Sequence, residues 1–241
     1  MRDVLDVLDD FSVEHWLMAG TLLGAVRHGG IIPWDDDVDV AVGPLDSPRL
    51  GDVCAALKAP WRSEATWFGY KLFRGDAHWP FVDLFTTQFD AATETVRYAS
   101  PVARETWPDE WWRVDELYPL QPINFGAERR ARLKPPSPYD CAPYLSRSFK
   151  GNWRTNARTP VWDHRRERWY DDVKRGAAAA DVKLQRADAV CLGHRSLANV
   201  GTAVDDYPRP PPPPSDPPSM TTLLGRLTTG GPKPAAVGDK E

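Results

Sequence analysis

The densest group of chemically reactive side chains is a run of aspartates beside Trp34. Asp35, Asp36, Asp37 and Asp39 place four carboxylates within five residues. Two unit charges about 4 Å apart repel each other by roughly 1 kcal/mol in bulk water and by roughly 4 kcal/mol at an effective dielectric constant of 20. A folded chain must therefore either expose such a run to water or bind a counter-ion there.

A metal site is one chemistry that this pattern supports. Asp37–Val42 alternates charged and apolar side chains, which predicts a half-buried β-strand with Asp37 and Asp39 on the same face. A third acid, Asp83, interrupts the apolar segment FVDLF, where an isolated charge is unfavourable. If the two strands are neighbours, three carboxylates converge on one or two magnesium ions that can bridge the phosphates of a nucleotide.

Other interpretations of these acids remain open at this stage. The run can be a solvated acidic turn, and its D-x-D-x-D spacing matches the first three ligands of an EF-hand calcium loop. That loop requires glycine at its sixth position and glutamate at its twelfth, where this chain has Val40 and Asp46. Asp83 taken alone can equally form a salt bridge with an arginine in the core.

A possible phosphate site precedes the acids. Gly20 and Thr21 follow the short apolar segment HWLMA and open a helix-compatible segment. Free backbone N–H groups and a hydroxyl in this position can hold a phosphate, and helix capping by Thr21 is the ordinary alternative. Arg27 and His28 lie one to two turns further on, where they can contact phosphate oxygens or simply lie at the surface. We expect Arg27 to be the phosphate ligand of the two.

Length and composition limit the class of protein. The chain has 241 residues and a mass of 27.0 kDa, enough for one domain of ordinary size plus additional length. It has no apolar run near the roughly 18 residues of a membrane span, and its N-terminus, MRDVLDVLDD, lacks the features of a signal peptide. The net charge of -4 argues against a surface that coats nucleic acid. We therefore expect no membrane span and no nucleic-acid partner.

The aromatic side chains divide the chain into two parts. All 11 Trp and all 8 Phe lie at or before Trp169. Because a core needs these large side chains, we predict one folded domain over residues 1–170. Residues 171–241 contain PRPPPPPSDPP, which favours polyproline II, and are predicted to be a disordered, low-complexity tail. The proline-rich segment is either a spacer or a ligand for an SH3 or WW domain.

Helices and strands are predicted to alternate in the folded part. Apolar residues at helical spacing predict a first helix that includes Val4 and Leu8. Two Ser-Pro pairs, at Ser47 and Ser137, predict the starts of later helices. Residues 66–73 and 80–86 are predicted to be strands.

Taken together, the segment GTLLGAVRHGGIIPWDDDVDV resembles the signature of the LicD family, which includes fukutin and fukutin-related protein. FVDLF resembles the family's third-carboxylate strand, and LYPLQPINFG resembles its tyrosine-proline strand. PSPYDCAPYLSRSFKGNW resembles its closing helix and Tyr-Gly-x-Trp element, except that Lys150 stands where tyrosine directly before glycine is usual. The resemblance covers residues 4–153.

The resemblance implies a nucleotidyltransferase-type α/β fold, with a mixed sheet flanked by helices. The implied reaction moves a phospho-alcohol group, phosphocholine or ribitol phosphate, from a CDP-linked donor to a hydroxyl of a glycan or glycoconjugate. Gly20 and Thr21 would face the donor phosphates, and Asp35 would be a base or would support the ligands. Mg²⁺ or Mn²⁺ would be held by three aspartates, Asp37, Asp39 and Asp83.

Two other functions remain open. The chain can be a noncatalytic module that binds metal or nucleotide on the same fold, although the intact aspartates argue against this. It can also be a nucleotidyltransferase acting on RNA or on a small molecule, and the acidic composition argues against RNA. The widely spaced cysteines and the missing signal peptide predict a cytoplasmic protein, with the Golgi lumen as the alternative if an N-terminal anchor is missing from this sequence.

Overall fold

The computed structural model describes residues 1–126 apart from 33, 34 and 36, then 133–150, 153–154, and short strands between residues 156 and 183. In these residues the helices are α1 (Arg2–Asp10), α2 (Ala19–His28), α3 (Leu50–Ala55), α4 (Pro101–Thr106), α5 (Val114–Leu117) and α6 (Cys141–Ser148). None of these helices has the length and apolar character that crossing a membrane requires.

The strands of the main sheet are β1 (His15–Leu17), β2 (Asp37–Val42), β3 (Trp61–Ala65), β4 (Gly69–Arg74), β5 (Phe81–Asp90), β6 (Thr95–Tyr98) and β7 (Trp111–Arg113). Short two-stranded pairs follow, formed by β8 (Gln121–Pro122), β9 (Pro136–Ser137), β10 (Asn156–Arg158), β11 (Trp162–Asp163), β12 (Arg168–Trp169) and β13 (Asp181–Lys183).

The main sheet is mixed, and its strand order is β1-β2-β5-β4-β3. Only β2 and β5 run parallel, which requires the long crossover through α3 and the β3–β4 hairpin. The second half of β5 extends beyond β2 and pairs with β6, which in turn pairs with β7. The helices α2 and α6 pack against each other, and α2 also contacts β2. The fold is therefore the predicted mixed sheet flanked by helices.

Strand β2 is buried along its whole length, which corrects the expectation of a half-buried strand. It pairs with β5 along its whole length on one side and with β1 over residues 40–42 on the other. Its acids lie on one face and its valines on the other. The alternation therefore separates a polar site from the apolar core, and it does not separate core from water.

Three aromatic side chains from β1, β7 and α6 pack together in the core. Trp16 of β1 meets Trp112 of β7 edge to face, with ring centroids 5.4 Å apart. Trp112 stacks on Tyr144 of α6 with centroids 4.6 Å apart. All three side chains are fully buried. The cluster connects α6 to β1 and β7.

Local signals placed two helix starts incorrectly. Ser47 begins a 3-10 turn (Ser47–Arg49), and α3 follows it. The Ser47 hydroxyl donates to the carbonyl oxygens of Val42 and Gly43, so it does not cap a helix. At α6 the cap is Asp140, whose carboxylate accepts from the backbone N–H of Ala142. Ser47 therefore uses its hydroxyl for contacts with the preceding strand and loop, and Asp140 takes the capping role that was predicted for Ser137.

Most of the predicted tail, including its proline-rich segment, lies outside the described residues. Within it the structure describes only β13, which pairs antiparallel with β10. The boundary at residue 170 stays a prediction.

Candidate functional site

Three carboxylates from two neighbouring strands meet at one point. The parallel register of β2 and β5 places Asp39 beside Asp83. Asp37, Asp39 and Asp83 are all buried, and each offers a carboxylate oxygen within 4.8 Å of the other two. The structure thus brings together the three acids that the sequence analysis selected. Because Asp37 and Asp39 lie on a buried strand, a solvated turn and a calcium loop no longer account for them.

Negative charge accumulates around Asp39. Burial raises the pKa of Asp39 well above its ordinary value, and the neighbouring carboxylates of Asp37 and Asp83 raise it further, followed by Asp35 and Glu110. Oxygen ligands in this arrangement suit a hard divalent cation, which would relieve the repulsion.

A lysine that the sequence analysis missed lies beside the acids. Nζ of Lys71, on β4, is 3.2 Å from Oδ1 of Asp83 and lies over the Phe81 ring, 3.2 Å from its centroid. The partner of Asp83 is therefore a lysine, where an arginine was the expected alternative. A signal was available, since Lys71 is a charged residue inside the strand GYKLFR, as Asp83 is inside FVDLF.

Gly20 allows Asp35 to approach the site. A Cβ atom built on Gly20 would lie 2.8 Å from Oδ2 of Asp35 and 3.8 Å from Oδ2 of Asp39. The Asp35 carboxylate therefore occupies the space that any larger residue at position 20 would need. Asp36 lies outside the described residues.

Gly20→Ala is expected to change the site while preserving the fold. Alanine favours a helix, and the atom that it displaces is the mobile end of the Asp35 side chain, so the free energy of unfolding should stay within about 1 kcal/mol of wild type. The displaced carboxylate should lower the rate of the phospho-alcohol transfer that the resemblance implies by roughly tenfold or more.

A double-mutant cycle with Asp35→Ala tests this cause. If Gly20→Ala acts by displacing Asp35, it should add no further loss in an Asp35→Ala background. Additive losses would show that Gly20 acts in another way, such as by contacting the donor.

Thr21 holds the strand that carries the acids. Its side chain is fully buried, and its Oγ1 accepts a hydrogen bond of 2.8 Å from the backbone N–H of Asp39. The residue that caps α2 is Met18, so Thr21 does not cap the helix. The observed contact gives Thr21 a positioning role, and its predicted contact with donor phosphate stays a prediction.

Thr21→Val is expected to lower the free energy of unfolding by about 1–3 kcal/mol, because it leaves the buried N–H of Asp39 without an acceptor. Thr21→Ser retains the oxygen and should lie close to wild type. Urea unfolding of the two variants measures the difference. Wild-type stability of Thr21→Val together with weakened donor binding would instead assign the hydroxyl to the phosphate.

Arg27 is buried and connects α2 to the backbone of Trp153. Its Nη1 donates to the carbonyl oxygen of Trp153 at 2.8 Å, and its Nε lies 3.0 Å from Nε2 of His28. Burial lowers the pKa of Arg27 to about 10, and the carboxylate of Asp35 opposes this shift. The guanidinium therefore lies within electrostatic reach of Asp35. Its predicted role as a phosphate ligand stays a prediction.

Glu110, also missed, lies close enough to the acids to raise the pKa of Asp39. Its Oε2 accepts hydrogen bonds from the hydroxyls of Tyr98 and Tyr144, the latter at 3.1 Å. The Tyr144 oxygen also accepts from the backbone N–H of Ala19, one residue before Gly20. Burial raises the pKa of Glu110, and the two tyrosine hydroxyls oppose the rise. No periodic pattern in the surrounding WPDEWW marks this glutamate.

One cavity adjoins Asp37, and a second adjoins Glu110. A cavity of about 890 Å³ is lined by Asp37, Phe81, Trp61 and Arg74, among others. A second, of about 420 Å³, includes Glu110 in its wall. Both volumes lie in the range of small-molecule sites.

Comparisons with known proteins identify a family that matches this chain. Residues 12–130 match the model of the LicD/FKTN/FKRP nucleotidyltransferase domain. The uncharacterized protein RP689 of Rickettsia prowazekii is 28% identical over 127 residues, which are 53% of this chain and 46% of that protein. The chain therefore spans less than half the length of this relative.

Two relatives of named activity match shorter segments. Human ribitol 5-phosphate transferase FKRP is 56% identical over 41 residues, 17% of this chain and 8% of that protein. The lipopolysaccharide cholinephosphotransferase LicD of Haemophilus influenzae is 43% identical over 56 residues, 20% of this chain and 21% of that protein.

Among solved structures, the antibiotic-resistance factor ANT(2'')-Ia aligns over 41% of this chain and 49% of its own, with 18% identity and a TM-score of 0.31, too low to assign a fold. The family match covers both acidic strands, β2 and β5, together with α2 and Glu110. Through residues 12–130, the chain belongs to the LicD family of nucleotidyltransferase domains.

Proposed function

We propose that this protein is a metal-dependent transferase that moves a phospho-alcohol group from a CDP-linked donor to a hydroxyl of a glycan or glycoconjugate. The observation that carries the proposal is the meeting of three buried carboxylates from β2 and β5. The group transferred would be of the phosphocholine or ribitol-phosphate type, as in the two relatives of named activity.

The acids suit Mg²⁺ or Mn²⁺. Asp37, Asp39 and Asp83 supply oxygen ligands, and Lys71 contacts Asp83. A divalent cation would offset the repulsion among three carboxylates that lie this close together. When bound, it would neutralise charge on the phosphate that is transferred.

The chain's own side chains orient the reactants and move the proton. In the proposed step the acceptor hydroxyl oxygen forms a bond to the donor phosphorus, the bond from phosphorus to the bridging oxygen of CMP breaks, and CMP leaves. Asp35, which is only partly buried and lies beside Gly20, is placed to accept the proton of the hydroxyl. Lys71 adds a positive charge on the other side of Asp83.

The larger cavity is the proposed donor site. Of the three acids its wall includes Asp37, which a diphosphate bound there would contact. Trp61 and Phe81 offer aromatic surface, and Arg74 offers a positive charge. None of these groups specifies a base, so the preference for cytidine rests on the family.

The release of nucleotide from a donor panel tests the proposal. The purified chain is incubated with CDP-ribitol, CDP-choline, a UDP-sugar and a GDP-sugar, each with Mg²⁺ or with chelator. We expect CMP release from a CDP donor only when the cation is present. Release from the UDP or GDP donors in its place would assign a different sugar-nucleotide chemistry.

Calorimetry separates a transferase from a noncatalytic module. With Mg²⁺, CDP is expected to bind at least tenfold more tightly than UDP or GDP, a difference of about 1.4 kcal/mol. Tight, metal-dependent binding of CDP without turnover on any acceptor would favour the binding module. Equal affinity for the three nucleotides would remove the CDP-alcohol donor while leaving the metal site in place.

A further inference from the structure

The Lys71 ammonium group already occupies one of the three carboxylates of the acid cluster. Its Nζ lies 3.2 Å from Oδ1 and 3.3 Å from Oδ2 of Asp83, so it contacts both oxygens. The register of β4 and β5 places Lys71 directly opposite Asp83, on the face of the sheet that carries Asp39. A divalent cation that uses Asp83 must therefore share this carboxylate with the ammonium group or displace it.

An aromatic ring holds the ammonium group at a second point. The ring is that of Phe81, whose centroid is 3.2 Å from Nζ and which lies two residues before Asp83 on the same face of β5. Phe81 is buried and packs edge to face against Phe73, with ring centroids 6.2 Å apart, so the ring is fixed. The ring therefore offers the ammonium group a contact that it keeps when it leaves Asp83.

The charge of Lys71 acts in two opposite ways on the acid cluster. Without a bound cation, the ammonium group offsets part of the repulsion among the carboxylates. With a cation bound to Asp83, two positive charges lie close together and repel each other. The Lys71 side chain is 19% exposed and has a long, flexible stem, so its charged end can move away from the strand.

We propose that Lys71 exchanges partners when the site is loaded: it holds Asp83 while no cation is bound, and it contacts the diphosphate of the donor once a cation takes over Asp83. The cation and the donor in this proposal rest on the proposed function, whereas the exchange rests on the contacts of Lys71. No proton moves in the exchange, because the ammonium group stays charged and leaves one anion for another.

A diphosphate is the anion best placed to receive the ammonium group. Phosphate oxygens that share a cation with Asp83 lie within a few Å of that carboxylate, and hence within reach of the Lys71 stem. Ammonium groups are also ordinary ligands of phosphate. The donor thus supplies the partner that the cation removed, so each of the two binds more tightly in the presence of the other.

Two binding measurements on the full chain at pH 8 test the exchange. The affinity for Mn²⁺ alone is measured from the EPR signal of the free ion, and the affinity for CDP is measured by calorimetry at saturating Mn²⁺. Lys71→Met keeps an unbranched side chain and removes the charge. It should bind Mn²⁺ about tenfold more tightly than wild type, because the competing charge is gone, and CDP about tenfold more weakly, because a phosphate ligand is lost.

The opposite signs separate the exchange from a purely structural role, which would weaken the binding of both probes. Lys71→Gln, which also lacks the charge, should show the same two signs and preserves the test if the methionine variant does not fold. Lys71→Arg keeps the charge and should not bind Mn²⁺ more tightly than wild type. Lys134→Met makes the same change at an exposed lysine just before β9, outside the walls of both cavities, and should bind both probes as wild type does.

This proposal and the proposed function fail in distinguishable ways. If wild type binds Mn²⁺ and Lys71→Met binds it equally or more weakly, the exchange is overturned and the metal site remains. Tighter binding of Mn²⁺ by Lys71→Met with unchanged binding of CDP overturns the diphosphate as the second partner. Absence of Mn²⁺ binding by wild type and by the variants contradicts the metal site itself, and the exchange with it.

Discussion

Asp39→Asn is expected to abolish the response of the protein to Mg²⁺ and Mn²⁺ while leaving the metal-free protein at least as stable as wild type. Asp39 lies between the carboxylates of Asp37 and Asp83, and burial with their charges raises its pKa. Replacing its carboxylate by an amide removes repulsion when no cation is bound. It also removes a ligand, so the cation loses its stabilising effect.

Thermal melting with Mg²⁺ and with chelator measures the stability of each protein with and without the cation. At a cation concentration a hundred times Kd, the free energy of unfolding of wild type should rise by about 2.7 kcal/mol. Transfer by Asp39→Asn should fall about a thousandfold, since a bound cation contributes several kcal/mol to such a step. Asp6→Asn, an exposed position on α1, is the control and should behave as wild type. A fully active Asp39→Asn protein, or wild-type melting that is insensitive to chelator, would remove the metal role.

Trp112→Ala is expected to have the largest effect on stability, a loss of about 3–5 kcal/mol in the free energy of unfolding. Trp112 is fully buried between Trp16 and Tyr144, so truncation leaves a large cavity in the core. The melting temperature should fall by roughly 6–20 °C. The Tyr144 hydroxyl joins Ala19 to Glu110, so the variant should also lose activity at temperatures where it is still folded.

Trp112→Phe is the matched control for ring packing. It keeps an aromatic ring, and it removes an indole N–H that has no hydrogen-bond partner among the described residues. Its loss of stability should therefore be much smaller than that of the alanine variant. Melting of Trp112→Ala within about 2 °C of wild type would show that the cluster does not stabilise the domain.

The acidic strands were predictable because their signals are local. Alternation in Asp37–Val42 and a lone acid at Asp83 are both readable over a few residues, and together they marked the three carboxylates that meet. The same logic would have found Lys71, a charged residue in the middle of β4 that contacts Asp83. Thr21 was selected for a plausible reason, since a hydroxyl near a helix start often binds phosphate, but its observed partner is the backbone of Asp39.

By itself, the sequence determined which residues carry charge into apolar strands, because burial of a charge without a partner is unfavourable wherever the strand lies. The tertiary structure alone decided the rest. The parallel register that pairs Asp39 with Asp83 depends on a crossover that no local pattern encodes. Tyr98 reaches Glu110 because β5 continues past β2 to pair with β6, and Tyr144 reaches it from α6. Contacts between residues far apart in the chain arise from packing of whole elements, and local patterns carry little information about that packing.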